Sequence, residues 1–319
     1  MQCGCGLCPP THWISPPSER EGMNHQQANT TWTPPEITTG HGALTGRTAF
    51  VTGAGRNIGR AIAIRCGAEG ARVAVNDVDA AAAESVVQEL RDAGLDAFAA
   101  IGDMSDFTQV DRVFAETEEA LGTVDILVNN AYVRCGDTAW GNFLAVEPSD
   151  WELFVSKNMN MLYGCTQRTA RALATKEQNG SIINISSHGA ERAHRNHIPY
   201  DSVKGAMESF TRAVAVDLAP WGIRVNALRP GAIAVEGEPP MWDGKKDLRA
   251  AQIPLGRAGT PEDIAAGVIF LASAESAFVT GQTFNIDGGM LAQGRAPQVE
   301  GVPVMHPGNA ARVPATLFH

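Results

Sequence analysis

Residues 47–68 read RTAFVTGAGRNIGRAIAIRCGA, and their pattern indicates the class of fold. A short apolar strand, Arg47–Thr52, precedes a glycine-rich turn, and the apolar spacing that follows predicts a helix over Ile58–Ala68. Small residues let the backbone of such a turn approach a phosphate group closely. The N-terminus of the following helix adds free N–H groups and the positive end of its dipole. The stretch therefore predicts a strand, a phosphate-binding turn and a helix.

The same alternation of strand and helix continues along the chain. Strands separated by helices of ten or more residues pair in parallel through right-handed crossovers. All-apolar strands and an alanine-rich second helix are typical of a sheet that is buried on both faces. We expect a single α/β domain over residues 44–291, with a Rossmann-type, doubly wound parallel sheet. The further predicted elements are Ala71–Asn76, Ala80–Ala93, Asp96–Ile101, Asp106–Leu121, Asp125–Val128, Pro148–Ala174, Gly180–Ser187, Ile198–Leu218, Gly222–Leu228, Pro261–Leu271 and Gln282–Ile286.

Both ends of the chain differ from this pattern. Residues 1–43 are rich in Pro, Thr, Asn, Gln and His without periodicity, which predicts a disordered N-terminal extension. Residues 292–319 form a C-terminal extension with several prolines, either disordered or wrapped on a neighbouring subunit. The N-terminal extension holds possible zinc ligands, but the steps between its cysteines are too short for the usual paired ligands. We therefore expect no metal site. The possible ligands are Cys3, Cys5, Cys8 and His12.

The composition limits the possible partners. A formal net charge of −10 argues against nucleic acid and anionic membranes. No apolar run approaches the roughly 18 residues that a membrane span needs, and the start lacks the pattern of a signal peptide. Cys66, Cys135 and Cys165 lie without framework spacing, so we expect reduced thiols and a cytoplasmic location. A small-molecule substrate is the expected partner.

The motif YDSVK, residues 200–204, lies in the helix predicted over Ile198–Leu218. Its four-residue step places Tyr200 and Lys204 on one face of the helix. A free phenol has a pKa of about 10, and a neighbouring ammonium favours the phenolate and lowers that pKa. The strand predicted just upstream ends in the hydroxyl of Ser187. These groups, near a phosphate-binding turn, can move a hydride and a proton together.

Several short motifs occur in an order typical of one family. They are TGAGRNIG at 52–59, NNA at 129–131, Asn158, Ser187, the YDSVK motif, and PG at 230–231. Over about residues 44–291 the chain resembles the short-chain dehydrogenase/reductase family. The resemblance implies a Rossmann fold and the transfer of a hydride between NAD and a secondary alcohol or ketone.

The resemblance also implies the roles of four catalytic residues. Tyr200 exchanges the hydroxyl proton as acid and base, and Ser187 hydrogen-bonds the substrate oxygen. Lys204 lowers the pKa of Tyr200 and grips the nicotinamide ribose. Asn158 bends its helix and holds a water molecule that connects Lys204 to solvent.

The residues that the resemblance assigns to the cofactor follow several predicted strands. Two positions depart from the family's pattern. Asn57 stands at the middle glycine of the turn, where asparagine tolerates a left-handed backbone, and Val235 stands where a threonine usually contacts the nicotinamide carboxamide. The expected cofactor-binding residues are Gly53, Gly55, Arg56, Asn57, Ile58, Gly59, Asp77, Asp103, Met104, Asn130, Ala131, Tyr200, Lys204, Pro230, Gly231 and Ile233.

Asp77, at the end of the second predicted strand, favours NAD. Its carboxylate can accept hydrogen bonds from the hydroxyls of the adenosine ribose and repels a 2′-phosphate. Arg56 in the turn is the opposing signal, because a basic side chain there can bind the phosphate of NADP. We expect NAD, with NADP less favoured.

The segment between Ser187 and Tyr200 carries three histidines and two arginines, and part of it must border the substrate. It reads HGAERAHRNH over residues 188–197. One interpretation is a solvated loop. The other is a cationic wall for a polar substrate such as a sugar, a polyol or a hydroxy acid. Residues 236–252 are rich in Pro, Gly and charge and predict a movable substrate lid. The candidate substrate-contacting residues are Tyr132, His188, Arg192 and Arg195.

Two other functions share some of these motifs. An NADPH-dependent 3-oxoacyl thioester reductase has the same catalytic residues, but Asp77 argues against a 2′-phosphate and the net charge against an acidic carrier protein. A dinucleotide-binding sensor or scaffold without turnover usually lacks the tyrosine or the lysine, whereas this chain keeps both.

The helices predicted over Trp151–Ala174 and Ile198–Leu218 carry more apolar residues than a sheet-facing side requires. In the family the equivalent helices pair across a two-fold axis. With a second contact near the C-terminus, this pairing predicts a homotetramer.

Overall fold

The computed structural model describes residues 40–236 and 250–294, in which seven strands alternate with six α-helices. The strands are β1 (Thr48–Val51), β2 (Arg72–Asp77), β3 (Ala97–Ile101), β4 (Ile126–Asn129), β5 (Gly180–Ile185), β6 (Ile223–Pro230) and β7 (Thr283–Ile286). The helices are α1 (Asn57–Ala68), α2 (Ala80–Asp92), α3 (Phe107–Leu121), α4 (Pro148–Thr175), α5 (Ile198–Leu218) and α6 (Pro261–Ala272). The predicted α/β fold class is confirmed.

All seven strands pair in parallel, in the order β3-β2-β1-β4-β5-β6-β7. The chain therefore builds outward from β1 to one edge of the sheet, then returns and builds from β4 to the other. The connections that leave β1 and β4 run in opposite directions, which opens a crevice beyond the carboxyl ends of these strands. In sheets of this kind the ligand binds in that crevice.

Apolar side chains cover both faces of the sheet. On one face α1, α2 and α6 pack against the strands, and on the other face α3, α4 and α5 do so. Because both faces are buried, the strands are almost continuously apolar, as the sequence predicts. Cys66 and Cys165 are free thiols within this core, and burial raises the pKa of each to about 12.

The element boundaries agree with the prediction to within a few residues. β6 runs to Pro230, beyond the predicted end at Leu228, because Pro230 pairs with Ile286 of β7. The N-terminal extension up to residue 39, most of the predicted lid and the chain beyond residue 294 lie outside the described residues. Within the described ranges, no helix has the length and apolar character that a membrane crossing requires.

Candidate active site

The glycine-rich turn joins β1 to α1 at the crevice. A Cβ at Gly59 would collide with the carbonyl oxygen of Gly53, so the turn can close this tightly only with glycine there. Asn57 adopts the left-handed conformation, with φ of 50°. Its Oδ1 accepts a hydrogen bond from the N–H of Glu236 at 2.8 Å. The asparagine thus keeps the turn and ties it to the start of the predicted lid.

The N-terminus of α1 has no side-chain cap, a property that it shares with α4 and α5. Asp79, Asp106 and Thr260 each accept a hydrogen bond at the start of α2, α3 and α6, whereas Arg56 gives α1 no such bond. The first turn of α1 carries no acidic residue either. Its N–H groups are therefore available to an anionic ligand. Together with the close turn, this end of α1 fits the pyrophosphate of a dinucleotide.

Asp77 ends β2 beside this turn. Its two carboxylate oxygens accept hydrogen bonds from the N–H of Gly55, at 3.0 Å, and from the N–H of Asp79, at 3.1 Å. Arg56 extends into solvent and pairs with Asp79 at 3.3 Å. The carboxylate of Asp77 therefore lies at the turn. The guanidinium of Arg56, the predicted ligand of a 2′-phosphate, pairs instead with Asp79.

The asparagines after β4 fasten the turn from the other side. The Nδ2 of Asn130 donates to the carbonyls of Thr52 and Gly53, at 2.9 and 3.1 Å. The backbone N–H groups of Asn130 and Ala131 both donate to the hydroxyl of Thr52. These contacts hold the segment after β4 against the glycine-rich turn, which is a structural role.

The other predicted cofactor residues also lie at the carboxyl ends of strands. After β3, Asp103 accepts hydrogen bonds from Ser105 and from Lys157 of α4, and Met104 is buried in the core. After β6, a Cβ at Gly231 would collide with the backbone of Asp287. Ile233 forms an isolated bridge with Gly259.

Lys204 is placed on α5 one turn after Tyr200, with its side chain almost completely buried, at 3% exposure. Its Nζ donates to the carbonyl oxygen of Ile185, at the end of β5, at 2.6 Å. The same Nζ lies 5.7 Å from the ring centroid of Tyr200. Burial lowers the pKa of the Lys204 ammonium to about 8. Ser187 follows β5, and its Oγ accepts a hydrogen bond from the N–H of Gly189 at 3.1 Å.

Asn158 lies inside α4 with its carboxamide committed to the backbone. Its Oδ1 accepts from the N–H of Val133 at 2.8 Å, and its Nδ2 donates to the carbonyls of Val133 and Phe154. The side chain therefore holds the segment after β4 against α4. The bent helix and the held water, which the resemblance implies, stay predictions.

A small cavity of about 10 Å³ lies between α4, α5 and the end of β4. Its lining includes Asn129, Asn158, Tyr200 and Lys204. The Oδ1 of Asn129 is buried without a hydrogen-bond partner. A space of this size is close to the minimum for one water molecule.

Three aromatic rings lie close to the ring of Tyr200. Ring centroids of Tyr132, Trp140 and His194 lie 5.6, 5.9 and 6.3 Å from that of Tyr200. Sequence reasoning missed Trp140, since a tryptophan in a loop gives no periodic signal. Arg134 stacks over its indole ring, 4.6 Å from the centroid.

The predicted substrate-contacting residues differ in their exposure and in their contacts with other protein groups. Tyr132 packs edge-on against Tyr200. Both ring nitrogens of His188 contact protein atoms. Arg192 is exposed and donates to the carbonyl of Met290 at 3.1 Å, and Arg195 is exposed.

Sequence reasoning also missed an ion pair behind the site. Glu208, one turn after Lys204, is buried and binds the guanidinium of Arg229 through two hydrogen bonds of 2.9 and 2.6 Å. The hydroxyl of Ser186 donates to the same carboxylate at 2.7 Å. The position of Glu208 on the apolar face of α5 could have indicated that its carboxylate has a buried partner. The pair connects α5 and β6 to the residue that precedes Ser187.

In residues 40–236 and 250–294, no cluster of His, Cys, Asp and Glu side chains is suited to a metal ion. The N-terminal cysteines and His12 lie outside these ranges, so the expectation of no metal site is untested for them.

The sequence and the fold both match known proteins. Residues 53–291 match the family model described as enoyl-(acyl carrier protein) reductase. Two curated relatives are 3-oxoacyl-(acyl-carrier-protein) reductases. The one from Staphylococcus aureus is 35% identical over 245 residues, covering 76% of this chain and 98% of the relative. The one from a Synechocystis species is 36% identical over 255 residues, covering 78% and 98%.

A solved structure is also similar. It is a gluconate 5-dehydrogenase from Burkholderia cenocepacia in complex with NADP and tartrate, with a TM-score of 0.72 and 34% identity. The match covers 81% of this chain and 98% of that chain.

These matches, with the sheet order and the site, define an oxidoreductase that uses a nicotinamide dinucleotide on CH–OH groups. The chain belongs to the short-chain dehydrogenase/reductase family.

Proposed function

We propose that this chain is an NAD-preferring dehydrogenase that interconverts a secondary alcohol and its ketone on a small polar substrate. The observation that carries the proposal is the buried Lys204, whose Nζ donates to the carbonyl of Ile185, two residues before Ser187, and lies 5.7 Å from the ring centroid of Tyr200. The uncapped start of α1 supports a dinucleotide at the other side of that crevice.

In this proposal Tyr200 exchanges the proton of the substrate hydroxyl as general acid and base. Ser187 hydrogen-bonds the substrate oxygen and stabilises the charge that develops on it. The ammonium of Lys204 favours the phenolate form of Tyr200 and holds the nicotinamide ribose. The nicotinamide, when bound, accepts or supplies the hydride. The small cavity beside Asn158 supports the water molecule that the resemblance implies.

The preference for NAD rests on the carboxylate of Asp77 at the glycine turn. A 2′-phosphate near this carboxylate would meet like-charge repulsion, and Arg56 is paired with Asp79. The similar gluconate 5-dehydrogenase was solved with NADP. NADP is therefore the alternative cofactor, and the two must be compared directly.

The proposed substrate is a sugar acid, polyol or hydroxy acid. The similar gluconate 5-dehydrogenase structure contains tartrate, a hydroxy acid. In this chain Arg192 and Arg195 are exposed in the segment between Ser187 and Tyr200, and the planar guanidinium group is suited to bind a carboxylate. If they bind the acidic group, Arg192→Ala or Arg195→Ala raises KM more than it lowers kcat.

A 3-oxoacyl thioester reductase is the second candidate function, because two curated relatives carry that activity in their names. Asp77 and the net charge of −10 count against it. A non-catalytic sensor or scaffold is the third, and it is disfavoured because Tyr200, Lys204 and Ser187 are all present.

The test follows reduced nicotinamide by its absorbance, with NAD and NADP in parallel. The panel holds D-gluconate, tartrate, polyols and 3-hydroxybutyryl-CoA. We expect turnover with a polyhydroxy or hydroxy acid compound and NAD. Tyr200→Phe keeps the ring between its aromatic neighbours but removes the hydroxyl, so turnover should vanish while NAD affinity changes little. Turnover by this variant at the wild-type rate contradicts the proposal.

We further propose a homotetramer in the cytoplasm. The surface between α4 and α5 forms an apolar groove that includes Tyr163, Val214 and Trp221. The free thiols of Cys66, Cys135 and Cys165 are in keeping with a reducing compartment.

A further inference from the structure

His188, His194 and Asp201 form a continuous row of hydrogen-bonded side chains, here called the histidine bridge. The Nε2 atoms of His188 and His194 lie 2.8 Å apart. The Nδ1 of His194 lies 2.8 Å from the Oδ1 of Asp201. His188 directly follows Ser187, and Asp201 directly follows Tyr200. The bridge therefore joins the neighbours of two proposed catalytic residues that come from different elements.

The bridge is fixed at both ends. The second oxygen of Asp201 accepts the backbone N–H of His194 at 2.7 Å. The Nδ1 of His188 lies 3.4 Å from the carbonyl oxygen of Pro230, at the end of β6. A Cβ at Gly189 would collide with the Asp201 carboxylate, so the loop packs against α5 without spare room. The end of β5, the end of β6 and the start of α5 are thus held together.

The protonation states of the His188 and His194 imidazoles decide whether the hydrogen bonds of the histidine bridge can form. Because the Asp201 carboxylate only accepts, the Nδ1 of His194 must carry a hydrogen. Between the two Nε2 atoms, one must donate and the other must accept. The His188–His194 pair can therefore carry at most one positive charge while bridged. When both imidazoles are charged, both Nε2 atoms carry a hydrogen and the contact breaks.

The surrounding groups favour the bridged state at neutral pH. Asp201 faces His194 from α5, and Asp287 faces His188 from beyond β7. The ring of His197 lies 5.3 Å from that of His194, and the ring of Tyr200 lies 6.3 Å from it. Burial, followed by the charge of His194, lowers the pKa of His188 from its ordinary value of 6.5. The second proton binds only in acid.

We propose that His188, His194 and Asp201 are positioning residues that set the separation between Ser187 and Tyr200 and release it when both histidines are protonated. Small displacements of reacting groups lower turnover by large factors, on the order of a hundredfold for 1 Å. The inference rests on the proposed catalytic roles of Ser187 and Tyr200.

The first test observes the bridge without any substrate. Imidazole nitrogen and hydrogen resonances of ¹⁵N-histidine-labelled protein are followed from pH 8 to pH 5, with His188→Gln and His194→Gln variants for assignment. We expect His194 to keep its Nδ1 hydrogen throughout neutral pH. His188 should titrate below 6.5, and its titration should shift the His194 resonances at the same midpoint. Independent titration of the two rings at ordinary values overturns the bridge.

The second test separates positioning from substrate contact. His188→Leu breaks the bridge, whereas a glutamine amide at this position can donate to a neutral His194 Nε2, or accept from a protonated one, and cannot itself gain a proton. We expect His188→Leu to lower kcat roughly tenfold or more with little change in KM or in the NAD Kd. His188→Gln should restore kcat to within about threefold and remove the acid limb of the pH profile. His41→Gln, the same change at an exposed position, is the matched control.

The probes for this second test are D-gluconate and 3-hydroxybutyryl-CoA with NAD, and Tyr200→Phe is measured in parallel. Wild-type kcat and an intact acid limb in His188→Leu overturn the inference, and so does a rise in KM alone, which marks a substrate contact. An active Tyr200→Phe overturns the proposed function instead. If neither probe is turned over, the coupled titration decides the bridge on its own.

Discussion

At the scale of single residues, the most consequential placement is that of a lysine in the core. Lys204 is buried, and burial disfavours the charged form of an amine. The protein tolerates this cost because the amine binds the carbonyl of Ile185 and lies beside Tyr200. A charge held in this way acts strongly on the neighbouring phenol, since little water screens it.

This placement makes the stability of the cofactor-free protein depend on pH. The folded pKa of Lys204, about 8, lies below the ordinary value of 10.5, so the unfolded chain binds the proton more tightly. The free energy of unfolding must then rise with pH above 8. Between pH 8 and pH 9 we expect a rise of about 1 kcal/mol from this group. Urea unfolding of wild type and Lys204→Met at the two pH values measures it as the difference between the proteins.

The comparison with Lys204→Met removes the opposite effect of the buried thiols. Cys66 and Cys165 have folded pKa values raised to about 12, so their contribution to stability is lost as pH rises above about 9. Both proteins share that loss. An equal pH dependence in wild type and variant contradicts the buried ammonium.

A second residue-scale prediction concerns Asp77. Replacing Asp77 by Ala removes the charge that repels a 2′-phosphate, so the preference for NAD over NADP should shrink. We expect the wild type to prefer NAD by at least about tenfold in kcat/KM, which corresponds to about 1.4 kcal/mol. Steady-state kinetics with each cofactor gives the ratio. Asp79→Ala, which frees Arg56, is the informative control, and a wild type faster with NADP refutes the assignment.

At the scale of elements, the periodicity of apolar residues predicted those helix and strand boundaries that the local sequence determines. The α5 helix runs over Ile198–Leu218 as predicted, because its apolar spacing and its start are both local signals. The end of β6 was predicted too early, because only pairing with β7 extends it to Pro230. The histidine bridge and the contacts of Asn158 could not be predicted, since they depend on which rotamers meet across three elements.

The element-scale prediction concerns the hold of α4 on the segment after β4. Asn158→Ala leaves the N–H and carbonyl of Val133 without partners, and each such loss costs about 1–3 kcal/mol when the group stays buried. We expect the free energy of unfolding to fall by about 2 kcal/mol. Ser156→Ala, on an exposed turn of the same helix, is the matched control and should change little.

The two roles of Asn158 can then be separated by kinetics. A purely structural residue lowers stability but leaves kcat near wild type at temperatures where the variant is folded. The role implied by the family resemblance also predicts a loss of kcat. Circular dichroism during urea unfolding measures the loss of stability. Turnover measured without urea, at a temperature 20 °C below the midpoint of thermal unfolding of the variant, then shows whether kcat is also lowered.

At the scale of the whole molecule, exposed apolar side chains occur in two places. One is the groove between α4 and α5, where Tyr163 and Trp221 are half exposed. The other lies beside the edge strand β7, where Phe278 is fully exposed. An apolar groove of this kind commonly marks contact with another protein surface, such as another copy of the chain. In the predicted tetramer, with two kinds of two-fold interface, we assign the groove to one interface and Phe278 to the other.

The assembly prediction is tested by breaking each surface. Light scattering of the wild type at micromolar concentration should give the mass of four chains of 33.8 kDa. Either Trp221→Asp or Phe278→Asp should leave dimers, because a buried charge disrupts one interface only. Val78→Asp, an exposed apolar residue after β2, is the control and should remain tetrameric. A monomeric wild type rejects the prediction.

The uncapped start of α1 also affects the protein when no dinucleotide is bound. Its uncapped N–H groups attract a small oxyanion, and a ligand that binds only the folded state raises the melting temperature by mass action. Inorganic phosphate or sulfate in a storage buffer should therefore protect the empty enzyme better than chloride at equal ionic strength. For the same reason, millimolar phosphate should compete with NAD. Rates measured in phosphate buffer would then understate the affinity of the enzyme for its cofactor.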